Sequence, residues 1–152
     1  MTKIRLNGIR LHDAGQSLIE MAFIIPVLLL LLLGAVEFGR LAYFGIEVTN
    51  AANAGAEYGS QNAVTAADYA GMKAVGLNDG SDIAGLTATA THSCLCSDGS
   101  SSATCLGSCP SGARMLEFVQ VNTSVSVNSL FGSYFTVKPY VLNGQATEKV
   151  KE

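Results

Sequence analysis

Gly15-Gln16-Ser17-Leu18-Ile19-Glu20-Met21-Ala22-Phe23-Ile24-Ile25-Pro26-Val27, the six leucines Leu28 to Leu33, and then Gly34-Ala35-Val36-Glu37-Phe38-Gly39-Arg40 form the stretch on which the rest of the chain depends. From Met21 to Val36 no side chain is charged or polar. Extended back to Leu18, the run approaches the ~20 residues, at about 1.5 Å each, that a helix needs to cross a hydrocarbon core of about 30 Å. A helix satisfies its own backbone N–H and C=O groups, which a bilayer interior demands. An amphipathic helix of a soluble protein shows a polar face, and this run has none for about four turns. The stretch therefore reads as membrane-embedded, with a carboxylate at each end: Glu20 where it begins and Glu37 where it leaves.

Upstream lie Lys3, Arg5, Arg10 and His12, opposed only by Asp13. Basic residues before a span and mostly acidic sequence after it place the N-terminus in the cytoplasm. A secretory signal peptide has a similar basic start. Here the apolar run is longer than the usual core of such a peptide, and the first clear small-x-small site, Ala52-Asn53-Ala54, comes far too late. An uncleaved signal anchor stays open as a second reading.

A glycine, four residues, a glutamate and then an apolar helix is a layout that resembles a type IV prepilin. Narrowed further, Gly15, Glu20, Pro26 within the run, and Glu37-Phe38-Gly39-Arg40 at its exit occur in one order. Together with Val48-Thr-Asn-Ala51-Ala52-Asn-Ala-Gly55-Ala56-Glu57-Tyr58-Gly59, this resembles the TadE-like family, pseudopilins of tight-adherence (Flp/Tad) pilus systems. Met21 stands where many family members carry an aromatic residue. The resemblance covers about residues 15–60. It implies cleavage by a prepilin peptidase between Gly15 and Gln16, with Glu20 neutralising the new amine of a neighbouring subunit. It also implies a minor pilin, since the major subunits of such systems are shorter. The implied partners are the peptidase, other pilins or pseudopilins, an inner-membrane assembly platform and the lipid bilayer. The alternative is a single-span anchor displaying an extracytoplasmic binding domain unrelated to filaments.

Composition narrows the function classes. At 152 residues, with 14% charged and 49% apolar residues, the chain holds a membrane segment and one small domain. Loss of residues 1–15 removes three basic residues and one acidic one, moving the formal net charge from −3 to −5. No basic patch remains for nucleic acid, and Trp is absent as a stacking platform. No Ser/His/Asp set, phosphate loop or paired carboxylates stand out, so neither enzymatic activity nor a cofactor is expected.

Pro26 predicts a kink, because its ring clashes with the carbonyl of Ala22. Past Val36, Leu41, Phe44, Val48, Ala51 or Ala52, and Gly55 recur at helical spacing, extending a single helix to roughly 40 residues. Glu37 and Arg40 are i,i+3 neighbours able to pair at the membrane exit. Ala51, Gly55 and Gly59 make a small-xxx-small ladder suited to close packing, either on another helix or on the chain's own globular part.

Beyond residue 60, Thr65 and Asp68 read as a helix start, with the helix running to Leu77 and ended by Asn78-Asp79-Gly80-Ser81. Alternation predicts strands at Thr87–Thr91, Val119–Val127 and Tyr134–Val141, the last placed at an edge by Pro139. The tail from Glu148 is expected to fray. All four cysteines, Cys94, Cys96, Cys105 and Cys109, fall between the first two strands. Outside the cytoplasm they favour disulfides, paired 94–105 with 96–109 or 94–109 with 96–105, since Cys94 to Cys96 would be cramped. A thiolate zinc site helped by His92 and free thiols are the other readings; the spacing is atypical for zinc, and no metal is expected. The expected fold is α+β: a long N-terminal helix, a second short helix and a small antiparallel meander with a Cys-rich loop. The expected parts are a basic leader, 1–15; the helix and its extension, 16–60; and an extracytoplasmic domain, 61–152, with the Cys-rich loop at 92–112.

Overall fold

The computed structural model describes residues 12–102, 105, 107–109, 112–130, 132 and 138–151. The leader residues Lys3, Arg5 and Arg10 and the whole of the segment 133–137 lie outside them. The chain forms two compact units, Met1–Gly39 and Arg40–Glu152, and helix α1 (His12–Gly59) contributes to both. In the first unit α1 continues through Pro26. The large apolar side chains from Leu18 to Phe38 are exposed, Phe23 at 75% and Phe38 at 76%. Among the described residues this is the one helix long and apolar enough to cross a membrane. A core helix can pass the same test of length, but none of the apolar window here is buried within the chain. At about 25 cal/mol per Å² of apolar surface, such a helix is unfavourable in water until lipid or other apolar helices cover it.

The second unit is a four-stranded antiparallel sheet packed on helices. Its strands are β1 (Thr87–Cys96), β2 (Ser101–Ser102), β3 (Met115–Val127) and β4 (Tyr140–Lys149), in the spatial order β2-β1-β3-β4. Each neighbouring pair is antiparallel, so β1, β3 and β4 form the expected meander. On β3, Val119, Val121, Thr123, Val125 and Val127 are all buried, the period of two that a half-buried strand requires. Their face packs on the second half of α1 and on α2 (Ala63–Ala67) and α3 (Tyr69–Asp79). One core cluster joins Ala52, Ala56, Ala66, Met72, Val119, Val121 and Ala146. The other joins Val48, Ile83, Val125 and Val127, with Leu41, Phe44, Leu86 and Leu142 packed against it.

Local chemistry departs from expectation at four places. The anticipated second helix is two helices. Asn62, not Thr65, is the first cap: its Oδ1 accepts from the N–H groups of Val64 and Thr65, and the Thr65 hydroxyl accepts from the Asn62 N–H. Asp68 then caps α3, accepting from the Gly71 N–H at 2.8 Å, so the acid read as the end of a capping box opens a new helix. Strand β1 runs on to Cys96, which puts His92, Cys94 and Cys96 in the sheet and not in the loop.

Strand β4 begins at Tyr140, after Lys138 and Pro139, and runs to Lys149, past the expected end at Val141; residues 134–137 of the expected strand lie outside the described residues. Its inward positions are Leu142, Gly144 and Ala146, and the last two are too small to advertise a strand by hydrophobic alternation. The tail is also held. The Val150 N–H donates to the Glu117 carbonyl at 2.9 Å and the Lys151 N–H to the Ser60 carbonyl at 2.8 Å, while Val150 is buried. Two backbone bonds and a buried side chain outweigh the polar composition that suggested fraying.

Candidate functional site

Two regions carry chemistry. The first is the start of α1. Gly15 and Gln16 lie in its first turns, and Glu20 follows as an exposed side chain. Gln16 and Glu20 are i and i+4, hence on one face of the helix. The peptide bond after Gly15 and the carboxylate of Glu20 are therefore presented along one line at the mouth of the apolar run.

Farther along α1, Ala51, Gly55 and Gly59 are buried inside the second unit. A Cβ on Gly55 would lie 2.7 Å from the Met72 carbonyl oxygen and 3.2 Å from a Val121 methyl. Gly76 of α3 has the reciprocal constraint, 2.8 Å from the Ala51 carbonyl oxygen. The ladder lets α1 meet α3 and β3 nearly backbone to backbone. Arg40, at the start of this unit, donates to the Asn128 carbonyl at 3.0 Å, and its guanidinium stands 5.2 Å from the centre of the Phe44 ring. The Tyr43 hydroxyl donates to Asp82 at 2.8 Å.

The second region is the end of the sheet at which β1 and β3 meet the Cys-rich loop. Cys94 is bonded to Cys105 and Cys96 to Cys109, with Cα separations of 5.4 and 5.9 Å. Of the two crossed pairings, this is the parallel one. Cys94 and Cys96 sit on the inward face of β1, and both bridges reach from that face into the loop. The hairpin between β1 and β2 is closed by the Gly99 N–H donating to the Cys96 carbonyl at 2.9 Å, with Gly99 at φ +87°, a conformation that favours glycine. Asp98 accepts from the Ser100 N–H and hydroxyl, at 3.0 and 2.7 Å.

Beside the Cys94–Cys105 bridge, His92 Nε2 lies 3.2 Å from Glu117 Oε2 and 4.0 Å from Cys94 Sγ. Glu117 was not recognisable from sequence. Its place opposite Cys94 follows from the β1–β3 register, Cys94↔Glu117, which no local pattern announces. Asp68 also escaped notice as a charged centre. The Gly71 N–H and then the Tyr58 hydroxyl, which donates at 3.0 Å, hold its carboxyl below the usual carboxylate range, and the same contact raises Tyr58 above its ordinary value.

A depression of about 350 Å³ lies over Thr89, Asn122, Gly144 and Gln145, whose side chains do not titrate near neutral pH. No curated protein and no solved structure matches the chain. The family model described as TadE-like protein matches residues 15–57. The matched segment opens on Gly15 and ends just before Tyr58, so it takes in the exposed apolar run and Ala51 and Gly55 of the buried ladder, and leaves Gly59, the sheet and its disulfides outside. The family is a structural, pilus-associated one. From Gly15 through the apolar helix to Gly55 of the ladder, this chain is thus similar to TadE-like proteins, a pilus-associated family.

Proposed function

We propose that the chain is a minor pilin or pseudopilin precursor, cut by a prepilin peptidase between Gly15 and Gln16 and then recruited to a Tad-type pilus. The carrying observation is the coincidence of the family match, which opens at Gly15, with an apolar helix that none of the described residues covers. In this reading residues 1–15 are the leader and stay cytoplasmic with their three basic residues. Residues 16–60 are the membrane helix and its extension, and residues 61–152 lie outside the inner membrane. After cleavage the Gln16 amine and Glu20 carry opposite charges. In an apolar helix bundle a neighbour's carboxylate compensates an amine that would otherwise be buried at high cost. The domain then caps, primes or decorates the filament through contacts with other pilins and the assembly platform.

N-terminal sequencing and intact mass of the protein extracted from its native envelope test this reading, with and without the peptidase. A mature chain beginning at Gln16 only when the peptidase is present is expected. A chain still beginning at Met1, or unaltered processing in a Gly15→Leu variant, overturns it.

A further inference from the structure

The end of the sheet at which β1 meets β3 carries a second kind of chemistry. His92 and Cys94 are alternate residues of β1 and so share a face, and Glu117 sits directly across from Cys94 on β3. Three donor types are thereby fixed on two paired strands: imidazole nitrogen, thiol sulfur and carboxylate oxygen. The loop adds a fourth donor in Cys105. The donor atoms of His92, Cys94 and Cys105 all lie within 4.8 Å of one another. One ring nitrogen, His92 Nε2, faces both the carboxylate, at 3.2 Å, and the Cys94 sulfur, at 4.0 Å.

Those separations resemble the edges of a ligand tetrahedron. With metal–sulfur bonds of about 2.3 Å and metal–nitrogen or metal–oxygen bonds of about 2.0–2.2 Å, neighbouring ligand atoms stand about 3.3–3.8 Å apart. The His92–Glu117 separation is just under that range, the His92–Cys94 edge has to contract slightly, and the two sulfurs, bonded in the oxidised protein, have to part. The site is sheltered without being sealed, the His92 and Glu117 side chains being 11% and 27% exposed. Sulfur, nitrogen and oxygen in a four-fold set suit a borderline-soft divalent cation that prefers tetrahedral coordination, which is zinc.

We infer that, when the Cys94–Cys105 bridge is reduced, Cys94, Cys105, His92 and Glu117 form a zinc site. Two electrons from a dithiol or phosphine reductant cleave the Sγ–Sγ bond, and each sulfur takes up one proton. Zinc then displaces both protons. The bound state holds two thiolates, one carboxylate and a neutral imidazole around the dication, with the Cys96–Cys109 pair taking no part. The same loop is thus tied to β1 in either state, by a disulfide when oxidised and by a metal when reduced. The donor atoms of His92, Cys94 and Cys105 are already grouped, and the Glu117 side chain, in contact with His92 alone among them, has to swing toward the sulfurs to complete the set.

The test uses the full chain in detergent, reduced with a phosphine and titrated with Co²⁺ as a visible probe and then with Zn²⁺. One equivalent of tetrahedral cobalt is expected, with sulfur-to-cobalt absorption of the intensity of two thiolates, displaced by one equivalent of zinc and absent from the oxidised protein. His92→Ala and Glu117→Gln should each weaken zinc binding by roughly tenfold or more, as loss of even an outer-shell partner does. Circular dichroism of the oxidised variants confirms that their fold is retained. The spectrum of the unmutated protein decides independently of any variant. Four-thiolate intensity, no stoichiometric binding, or unaltered affinity in both variants overturns the assignment. None of these outcomes depends on whether the chain is cut after Gly15.

Discussion

A methyl group added at Gly55 would stand 2.7 Å from the Met72 carbonyl oxygen, whereas one added at Gly45 would meet nothing within 4 Å. The two positions lie on the same helix, so intrinsic propensity favours alanine at both by about 1 kcal/mol. At Gly55 the obstacle is backbone and cannot swing aside, and overpacking of that kind costs about 1–3 kcal/mol. Gly45→Ala is expected to raise unfolding stability by up to about 1 kcal/mol, and Gly55→Ala to lower it by about 1 kcal/mol net. Urea unfolding of the purified protein checks the pair, and shifts of the same sign would contradict the packing described. Asp68 gives a pH test. Its carboxyl is held below the ordinary 3.8, chiefly by the Gly71 N–H and then by Tyr58. A lowered folded value stabilises the protein above that ordinary value and is lost as pH falls through the folded one. Asp68→Asn keeps an acceptor for Gly71 but removes the charge, so the stability gap between the two proteins should close as pH drops below 3.8. Tyr58, raised by the same contact, works in the opposite direction: its stabilisation is present below 10.0 and lost as pH rises through its folded value.

Among the elements, the long helix and the central strand were legible because each repeats one signal many times. The unbroken leucines and the Val119-x-Val121-x-x-x-Val125-x-Val127 alternation admit few other readings. Strand β4 was legible only in part, since its inward Gly144 fits under α1 and carries no side chain to reveal its face. A Cβ there would collide with the Val48 carbonyl oxygen, and the neighbouring Thr123 hydroxyl donates to that same oxygen at 2.6 Å. The disulfides belong to this scale as well. They span 11 and 13 residues, and closing a loop of that size stabilises by about 3 kcal/mol in the chain-entropy account. The two loops overlap, so the second bridge closes a shorter path than it would alone. Removing Cys96–Cys109 by a double Cys→Ser change should therefore cost less in the presence of the Cys94–Cys105 bridge than in its absence. Urea midpoints of the single-bridge and no-bridge proteins measure the difference, and equal costs in both backgrounds would refute it.

For the molecule as a whole, the pilin-like reading makes Glu20 an assembly residue and not a folding residue. It precedes the second unit and lies in none of that unit's core clusters. Glu20→Gln should leave the fold and membrane insertion unchanged while filament incorporation falls sharply, because an amine left unpaired in an apolar bundle costs about 3–5 kcal/mol. Fractionation of envelopes against sheared pili, with intact mass to follow processing, checks this, and normal incorporation of the variant would remove Glu20 from assembly. By itself the sequence determined a helix long and apolar enough to span a membrane, the order of Gly15 and Glu20 at its start, the α+β class and the crowding of four cysteines into one connection. Each of these is written in neighbouring residues, where composition and spacing act directly. Only the tertiary structure decided which cysteines pair, that the Ala51-Gly55-Gly59 ladder turns inward on α3 and β3, and that Glu117 stands beside His92 and Cys94. Those depend on strand register and on contacts between residues far apart in the chain, and a one-residue shift of β1 or β3 would have sent His92, Cys94 and Cys96, or Glu117, to the opposite face.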